Sequence, residues 1–142
     1  APLVIEETMK SIPILSQFFL VGDGRKYCSA LVTLDVGVIL RDNLGMNPDK
    51  VPKDPIEQIE ELERRGHKLS DFVESEEIRS DIESQIMELN KRFMNPEQVK
   101  KFTILPRDLN IDSGELTPTL KIRRKQIREN WADEIEAMYS DA

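Results

Sequence analysis

Hydrophobic residues near the start of the chain recur at the spacing of a helix. Ile5, Met9 and Ile12 lie three or four residues apart, so their side chains share one helical face. Pro13 lacks the amide hydrogen that a helix interior uses, and we expect it to end this element. The pattern therefore predicts a short first helix.

Two β-rich runs follow, at residues 17–21 and 27–34. The loop between them contains Gly22 and Gly24, and glycine adopts the positive φ angles that a hairpin turn needs. One face of the second run is entirely apolar: Ala30, Val32 and Leu34. These runs predict a hairpin whose apolar face requires a helix or a sheet over it.

The middle of the chain carries signals for two helices. Asp54 is a good N-cap, Pro55 suits the first helical position and Gly66 offers a stop, which predicts a helix over residues 55–65. Its apolar stripe is thin, so we expect this helix to lie on the surface. Ser75 can cap a longer helix, whose apolar face is continuous: Ile78, Ile82, Ile86, Leu89 and Phe93. The second helix is the better candidate to cover the sheet.

A third strand and a last helix complete the pattern. Residues 102–105 are β-rich and are followed by Pro106. After Gly114, one helical face is apolar: Ile127, Trp131, Ile135 and Tyr139. The order of elements predicts an α+β fold in which a small, mainly antiparallel sheet packs against helices. We expect a single domain over residues 1–142.

Composition agrees with one compact domain, since 39% of the 142 residues are apolar and 33% are charged. Cys28 has no partner for an internal disulfide, so we expect a core residue in a reducing, cytoplasmic compartment. No apolar stretch approaches the roughly 20 residues that span a bilayer, and no signal peptide is visible. Because the chain opens with Ala1 and Pro2 rather than methionine, we expect it to be a piece of a longer protein.

Several familiar sites are excluded by counting. One histidine, His67, and one cysteine are too few for a zinc site of Cys and His ligands, and no Ser-His-Asp set emerges. Residues 21–24 lack the glycine spacing of a phosphate-binding loop and join two strands. The net charge of −7 argues against a general nucleic-acid binder. We therefore expect no metal site and no nucleic-acid partner.

A cluster of basic residues precedes the last helix. Residues 121–128 contain no acid and five cations: Lys121, Arg123, Arg124, Lys125 and Arg128. Cations at a helix N-terminus oppose the helix dipole by roughly 0.3–1 kcal/mol each, while Asp133, Glu134 and Glu136 lie toward the other end. This arrangement favours an anionic ligand near the basic end. Exposed cations are common, so an ordinary solvated surface stays open as the alternative.

The segment around these cations resembles a known motif. Residues 114–125, GELTPTLKIRRK, are similar to the C-terminal lysine motif of long-chain acyl-CoA synthetases, which belong to the AMP-forming, adenylate-forming enzymes. Further matches to that family follow in the expected order, at residues 1–6, 21–27, 29–31, 97–102 and 131–136. The helical segment at about 52–93 is longer than in short-chain and aryl relatives, which favours the long-chain branch.

The resemblance implies the C-terminal lid domain of a long-chain fatty acid:CoA ligase, with a helical insertion at about residues 52–93. By that resemblance Lys121 is the catalytic lysine, which contacts the substrate carboxylate and the α-phosphate of ATP during adenylation. The whole enzyme would use ATP, Mg²⁺ and CoA, and this domain would work against its own large N-terminal domain. The hinge residue and the phosphate loop of the family do not occur in this sequence, so we expect the fragment alone to be inactive.

Two other functions fit the same residues. One is a related adenylate-forming enzyme that passes its acyl group to a carrier protein, or a ligase for another carboxylic acid. The other is a non-catalytic acidic module whose basic run binds a phosphorylated or nucleotide partner. A large upstream domain with a phosphate-binding loop in the parent gene would separate the enzymes from the module.

Overall fold

The computed structural model describes residues 2–140. In that part of the chain the helices and strands are α1 (Pro2–Met9), β1 (Leu15–Val21), β2 (Cys28–Leu34), α2 (Val36–Val38), α3 (Pro55–Arg64), α4 (Leu69–Val73), α5 (Glu76–Asn90), β3 (Val99–Ile104), α6 (Arg124–Asn130) and α7 (Ala132–Ala137). Short π-helical and 3-10 segments lie at Ile39–Asn43, Pro48–Lys50 and Asn95–Glu97. The predicted α+β class is confirmed.

The sheet has the strand order β1-β2-β3. β1 and β2 form the predicted antiparallel hairpin, in which Phe18 pairs with Val32. β3 lies on the other side of β2 and runs parallel to it, with Ala30 paired to Phe102. The sheet is therefore mixed, because the chain crosses over through α2 to α5 before it returns as β3.

Both faces of the sheet are buried, although the sequence predicted a single apolar face. One face carries Ala30 into a core with α1 and α5. The opposite face carries Leu31 into a second core with Trp131. Ser29, also on that face, is buried and donates from Oγ to the Tyr139 hydroxyl at 2.7 Å. Because β2 is the central strand, even its polar side chains are covered and find hydrogen-bond partners.

Helix α5 covers the first face of the sheet, as its apolar stripe predicts. Ser75 caps the helix, since its Oγ accepts a hydrogen bond from the Ile78 amide at 3.2 Å. At the other end, the Asn90 side chain exchanges two hydrogen bonds of 2.9 Å with the main chain of Val99. The residues of the stripe that are most deeply buried are Ile82 and Ile86. The end of α5 is thereby tied to the start of β3.

Helix α3 lies at the surface, as its thin apolar stripe predicts. Its Ile56 side chain is 70% exposed, whereas Leu62 is fully buried and anchors the helix in the first core. Asp54 occupies the N-cap position but makes no side-chain capping bond there.

The predicted last helix is two helices in the structure. The break falls at Trp131, whose φ of −116° and ψ of 27° interrupt the helical angles. The apolar face continues across the break: Ile127, Trp131 and Ile135 are buried, and Tyr139 is partly buried against the same core. Asp133 and Glu134, however, occupy the first turn of α7, where acids complement the helix dipole. The prediction that these acids lie at the C-terminal end of one long helix is therefore wrong, whereas Arg124 and Lys125 do lie in the first turn of α6.

Cys28 is only partly buried, contrary to the predicted core position. It is the first residue of β2, and its Sγ lies 3.6 Å from the Pro96 carbonyl oxygen. Burial raises the pKa of the thiol, and the charge of Glu97 adds to this effect. A strand end beside two loops has fewer neighbours than a strand centre, so an apolar run does not place its first residue in the core.

Candidate active-site turn

Lys121 lies on a tight turn between β3 and α6, which we call the lysine turn (residues 116–122). An antiparallel bridge between Leu116 and Ile122 closes its base. Within it, the Thr117 amide donates to the Lys121 carbonyl oxygen at 2.8 Å. The prediction that Lys121 lies in the loop before the last helix is confirmed.

The Lys121 side chain is exposed on the lysine turn. Within residues 2–140 its ammonium group makes no hydrogen bond or ion pair. The side chains of Arg123 and Lys125 are exposed as well. A cation on a fixed main chain with a free side chain can neutralise an anion that another domain presents to it.

Directly before the lysine turn, Glu115 is completely buried. Its carboxylate accepts five hydrogen bonds: Oε1 from Arg107 Nη1 at 2.8 Å and the Asn110 amide at 3.2 Å, and Oε2 from Arg107 Nη2, Asn130 Nδ2 and Trp131 Nε1, each at 2.9 Å. The network joins the turn to the segment after β3 and to the junction of α6 and α7. It therefore fixes the N-terminal end of the lysine turn.

The environment of Glu115 favours its ionised form. Burial alone would raise the pKa of this carboxyl. Hydrogen bonds from Arg107, Asn130 and the Asn110 amide, together with the charge of Arg107, nevertheless hold its pKa below the ordinary value. The group is thus a buried carboxylate whose charge stabilises the fold at neutral pH.

We expect Glu115→Gln to lower the free energy of unfolding by about 1–3 kcal/mol at neutral pH. Every partner of the carboxylate is a donor, so either orientation of a glutamine amide sets an N–H group against another donor. The ionised carboxylate stabilises the fold above its unfolded-state pKa of about 4.3, and this contribution is lost as pH falls through the lower folded-state pKa.

Denaturant titrations of wild type and variant at several pH values measure this effect. The difference in unfolding free energy should be largest near neutrality and should shrink below about pH 4. A difference that stays constant into the acid range would show that the charge of Glu115 does not matter.

A second buried carboxylate, Glu6, engages one cation of the basic cluster. Arg124 donates to Glu6 Oε2 from Nη1 at 3.0 Å and also bonds Oε1 through Nη2. The same carboxylate accepts the Leu20 amide at 2.9 Å, on the outer edge of β1. The Arg124 guanidinium further lies 5.4 Å from the centre of the Phe19 ring. Arg124 therefore joins α6 to α1 and β1, and is a structural cation rather than a free one.

Sequence reasoning missed both buried carboxylates. Glu115 lies inside the motif that contains Lys121, but nothing in the sequence pairs it with Arg107. The partner of Glu6 lies 118 residues away along the chain. Such pairs are set by the packing of distant elements, so local spacing carries no signal for them.

Metal-ligating clusters and membrane-spanning helices were sought in the part of the chain that the structure describes. Among residues 2–140, no group of three or more His, Cys, Asp or Glu side chains could hold a metal ion. The helices in the same range are too short or too polar to cross a bilayer.

A family comparison shows the family to which the chain belongs. The model of the AMP-binding enzyme C-terminal domain matches residues 59–142, which is more than half of the chain. The chain belongs to this family and is a C-terminal domain of an adenylate-forming enzyme. The resemblance noted from the lysine motif is confirmed.

Proteins similar to this chain include long-chain-fatty-acid--CoA ligases. The chain is 30% identical over 145 residues to FadD15 of Mycobacterium tuberculosis, and the match covers 99% of this chain and 21% of that protein. It is 31% identical to ACSBG2 of Gallus gallus and to ACSBG1 of Homo sapiens, covering 99% of this chain and 19% and 20% of those proteins. The chain spans about a fifth of the length of these relatives.

Solved structures with the same fold are adenylation domains of carboxylic acid reductases. The A-PCP didomain from Segniliparus rugosus, in complex with AMP, aligns with a TM-score of 0.66 and 17% identity over 99% of this chain and 16% of that chain. The A domain from Mycobacterium chelonae aligns with a TM-score of 0.63 and 18% identity over 96% of this chain and 17% of that chain. At this identity the likeness shows the fold.

Proposed function

We propose that this chain is the lid domain of a long-chain fatty acid:CoA ligase and that Lys121 is its catalytic lysine. The observation that carries the proposal is the exposed ammonium of Lys121, held on a turn whose main chain is bonded on both sides. The names of the relatives support the fatty acid and CoA as substrates. The helical segment at about residues 52–93 would be an insertion that shorter adenylate-forming relatives lack.

The two half-reactions explain why a lysine on a rotating lid domain would suit this chemistry. In the first half-reaction a fatty acid carboxylate oxygen attacks the α-phosphorus of ATP, and pyrophosphate leaves. Two anions must approach each other, so the ammonium of Lys121 would neutralise charge on the reacting oxygens in the transition state. In the second half-reaction the CoA sulfur attacks the acyl carbon and AMP leaves, with the lid rotated and Lys121 withdrawn.

In this mechanism the large N-terminal domain provides most of the nucleotide site, and this chain contributes Lys121. Lys121 fits a contact to the substrate carboxylate and the α-phosphate, because it is exposed and unpaired within the described residues. The Mg²⁺ that accompanies ATP would be bound through the ATP phosphates beside the large domain. The main partner of this chain is then its own N-terminal domain.

A second candidate is a lid domain of an enzyme that passes the acyl group to a carrier protein. The likeness to the A-PCP didomain of a carboxylic acid reductase favours it. Assay of the full-length enzyme with fatty acids of increasing length, and with CoA or carrier protein as acceptor, separates the two. Product with carrier protein and none with CoA would refute the CoA ligase.

We expect the isolated chain to bind ATP only weakly, because one exposed lysine supplies one contact and the rest of the site lies in the large domain. Calorimetric titration of this chain with ATP and Mg²⁺ tests the expectation, with Lys121→Ala as the control. Micromolar saturable binding that Lys121→Ala abolishes would favour a nucleotide-binding module that works without a large domain.

A further inference from the structure

The residue before Lys121 has an unusual backbone conformation. Leu120 has a φ of 66°, and it is the one non-glycine residue in the described range with a positive φ. The left-handed region is unfavourable for a residue with a Cβ atom, and glycine normally occupies it. The Leu120 side chain is 64% exposed, so burial does not compensate for the strain. Something else in the turn must hold this conformation.

The hydrogen bonds of Thr117 hold Leu120 in its left-handed conformation. Its carbonyl oxygen accepts the Leu120 amide at 2.8 Å, its amide donates to the Lys121 carbonyl oxygen at 2.8 Å, and its hydroxyl oxygen accepts the Lys121 amide at 3.0 Å. The Thr117 hydroxyl also lies 3.1 Å from that of Thr119. The main chain of Lys121 is thus bonded at both its N–H and its C=O to one residue. Pro118 restricts Thr117 to extended angles and adds to this rigidity.

The base of the turn is rigid as well. Leu116 and Ile122 form an antiparallel bridge, and the Arg123 amide donates to the Glu115 carbonyl oxygen at 2.8 Å. Glu115 itself is fixed by its buried carboxylate network. The conformation of Leu120 is therefore stabilised by the buried Glu115 network at the base of the turn and by the hydrogen bonds of Thr117 within it. Strained residues at functional sites persist when the surrounding structure holds them in this way.

We propose that Thr117 is a positioning residue: its three hydrogen bonds hold Leu120 in the left-handed conformation and thereby fix the direction in which Lys121 leaves the lysine turn. This proposal rests on the proposed function of Lys121. The main chain of Lys121 is fixed, while its side chain makes no hydrogen bond or ion pair within residues 2–140. The lid can therefore deliver the ammonium to a reacting anion without first ordering the loop. A small displacement of a group that acts in a transition state can cost about a hundredfold in rate.

The first test removes the hydroxyl acceptor in the full-length enzyme. Thr117→Val keeps the shape of the side chain but frees the Lys121 amide, and we expect acyl-adenylate formation to slow by about tenfold to a hundredfold. Thioester formation from supplied acyl-adenylate should keep its wild-type rate, which shows that the variant is folded. Thr117→Ser restores the acceptor and should restore adenylation. Thr103→Val, the same change on β3, is the matched control and should leave both rates unchanged.

A second measurement does not depend on activity. Hydrogen exchange of the full-length enzyme, followed on peptides covering residues 116–122, should be faster in Thr117→Val than in Thr117→Ser or wild type. Equal exchange in all three proteins would overturn the role of the Thr117 hydroxyl.

Substitutions at Leu120 test the conformation itself. Gly and Asn adopt positive φ readily, whereas a β-branched residue does not. We therefore expect Leu120→Gly and Leu120→Asn to retain adenylation and Leu120→Val to lose it to the same extent as Thr117→Val. Equal rates for Leu120→Asn and Leu120→Val would show that the positive φ does not present Lys121, and would overturn the proposal.

The outcomes distinguish the positioning role of Thr117 from the catalytic role of Lys121 on which it rests. If Lys121→Ala loses adenylation while Thr117→Val behaves like Thr103→Val, the positioning role is wrong and the catalytic role of Lys121 stands. If Thr117→Val slows both half-reactions equally, Thr117 is structural only. If Lys121→Ala itself adenylates at the wild-type rate, the proposed catalytic role of Lys121 is wrong, and the positioning role of Thr117 is wrong with it.

Discussion

Lys121→Ala in the full-length enzyme should slow acyl-adenylate formation by about a hundredfold to a thousandfold and leave thioester formation nearly unchanged. A preorganised cation matters while a carboxylate and a phosphate react, and it matters little once the lid has rotated away. Pyrophosphate release measures the first half-reaction. Conversion of synthetic acyl-adenylate and CoA to acyl-CoA measures the second.

The structure decides which neighbouring cations are suitable controls for Lys121. Arg123 and Lys125 are exposed like Lys121, so their alanine variants report any general effect of positive charge, which should fade as salt is added. Arg124 is unsuitable, because removing it leaves the buried Glu6 carboxylate without its cation. If Lys121→Ala slows both half-reactions alike, or no more than Lys125→Ala does, the catalytic assignment is wrong and the basic cluster is a docking surface.

Trp131→Ala should lower the free energy of unfolding of this chain by about 3–5 kcal/mol. The Trp131 ring lies in the second core, and its Nε1 donates to the buried Glu115 carboxylate at 2.9 Å. The substitution therefore leaves a cavity and removes one of the donors that hold the carboxylate. The Arg107 guanidinium, 4.9 Å from the ring centre, loses a cation–π contact at the same time.

Chemical denaturation of the variants measures the stability effect. Trp131→Phe keeps an aromatic ring but not the donor, so its loss of stability should lie between those of wild type and Trp131→Ala. Met94→Ala is the control for an exposed apolar side chain, since Met94 is 77% exposed, and should change stability by no more than about 0.5 kcal/mol. An unfolding midpoint of Trp131→Ala equal to that of wild type would show that the second core does not depend on this ring.

Local patterns predicted the elements that depend on neighbours in sequence. The hairpin follows from two β-rich runs and a glycine loop, and the start of α5 follows from Ser75 and the apolar stripe behind it. The position of Lys121 before the last helix follows from Pro118, which disfavours helix in the residue before it. The break at Trp131 escaped prediction because the apolar spacing continues across it.

The sequence by itself determined the α+β class, the family and the candidate lysine, because periodicity, capping residues and a contiguous motif are all local properties. Only the tertiary structure placed β3 parallel to β2, covered both faces of the sheet and distinguished the exposed Lys121 from Arg124, which is paired with Glu6. It alone showed the buried Glu115 network and the positive φ of Leu120 in the lysine turn. These features arise when segments far apart in the chain pack together, and the energy of a buried charge or a strained angle is set by that packing.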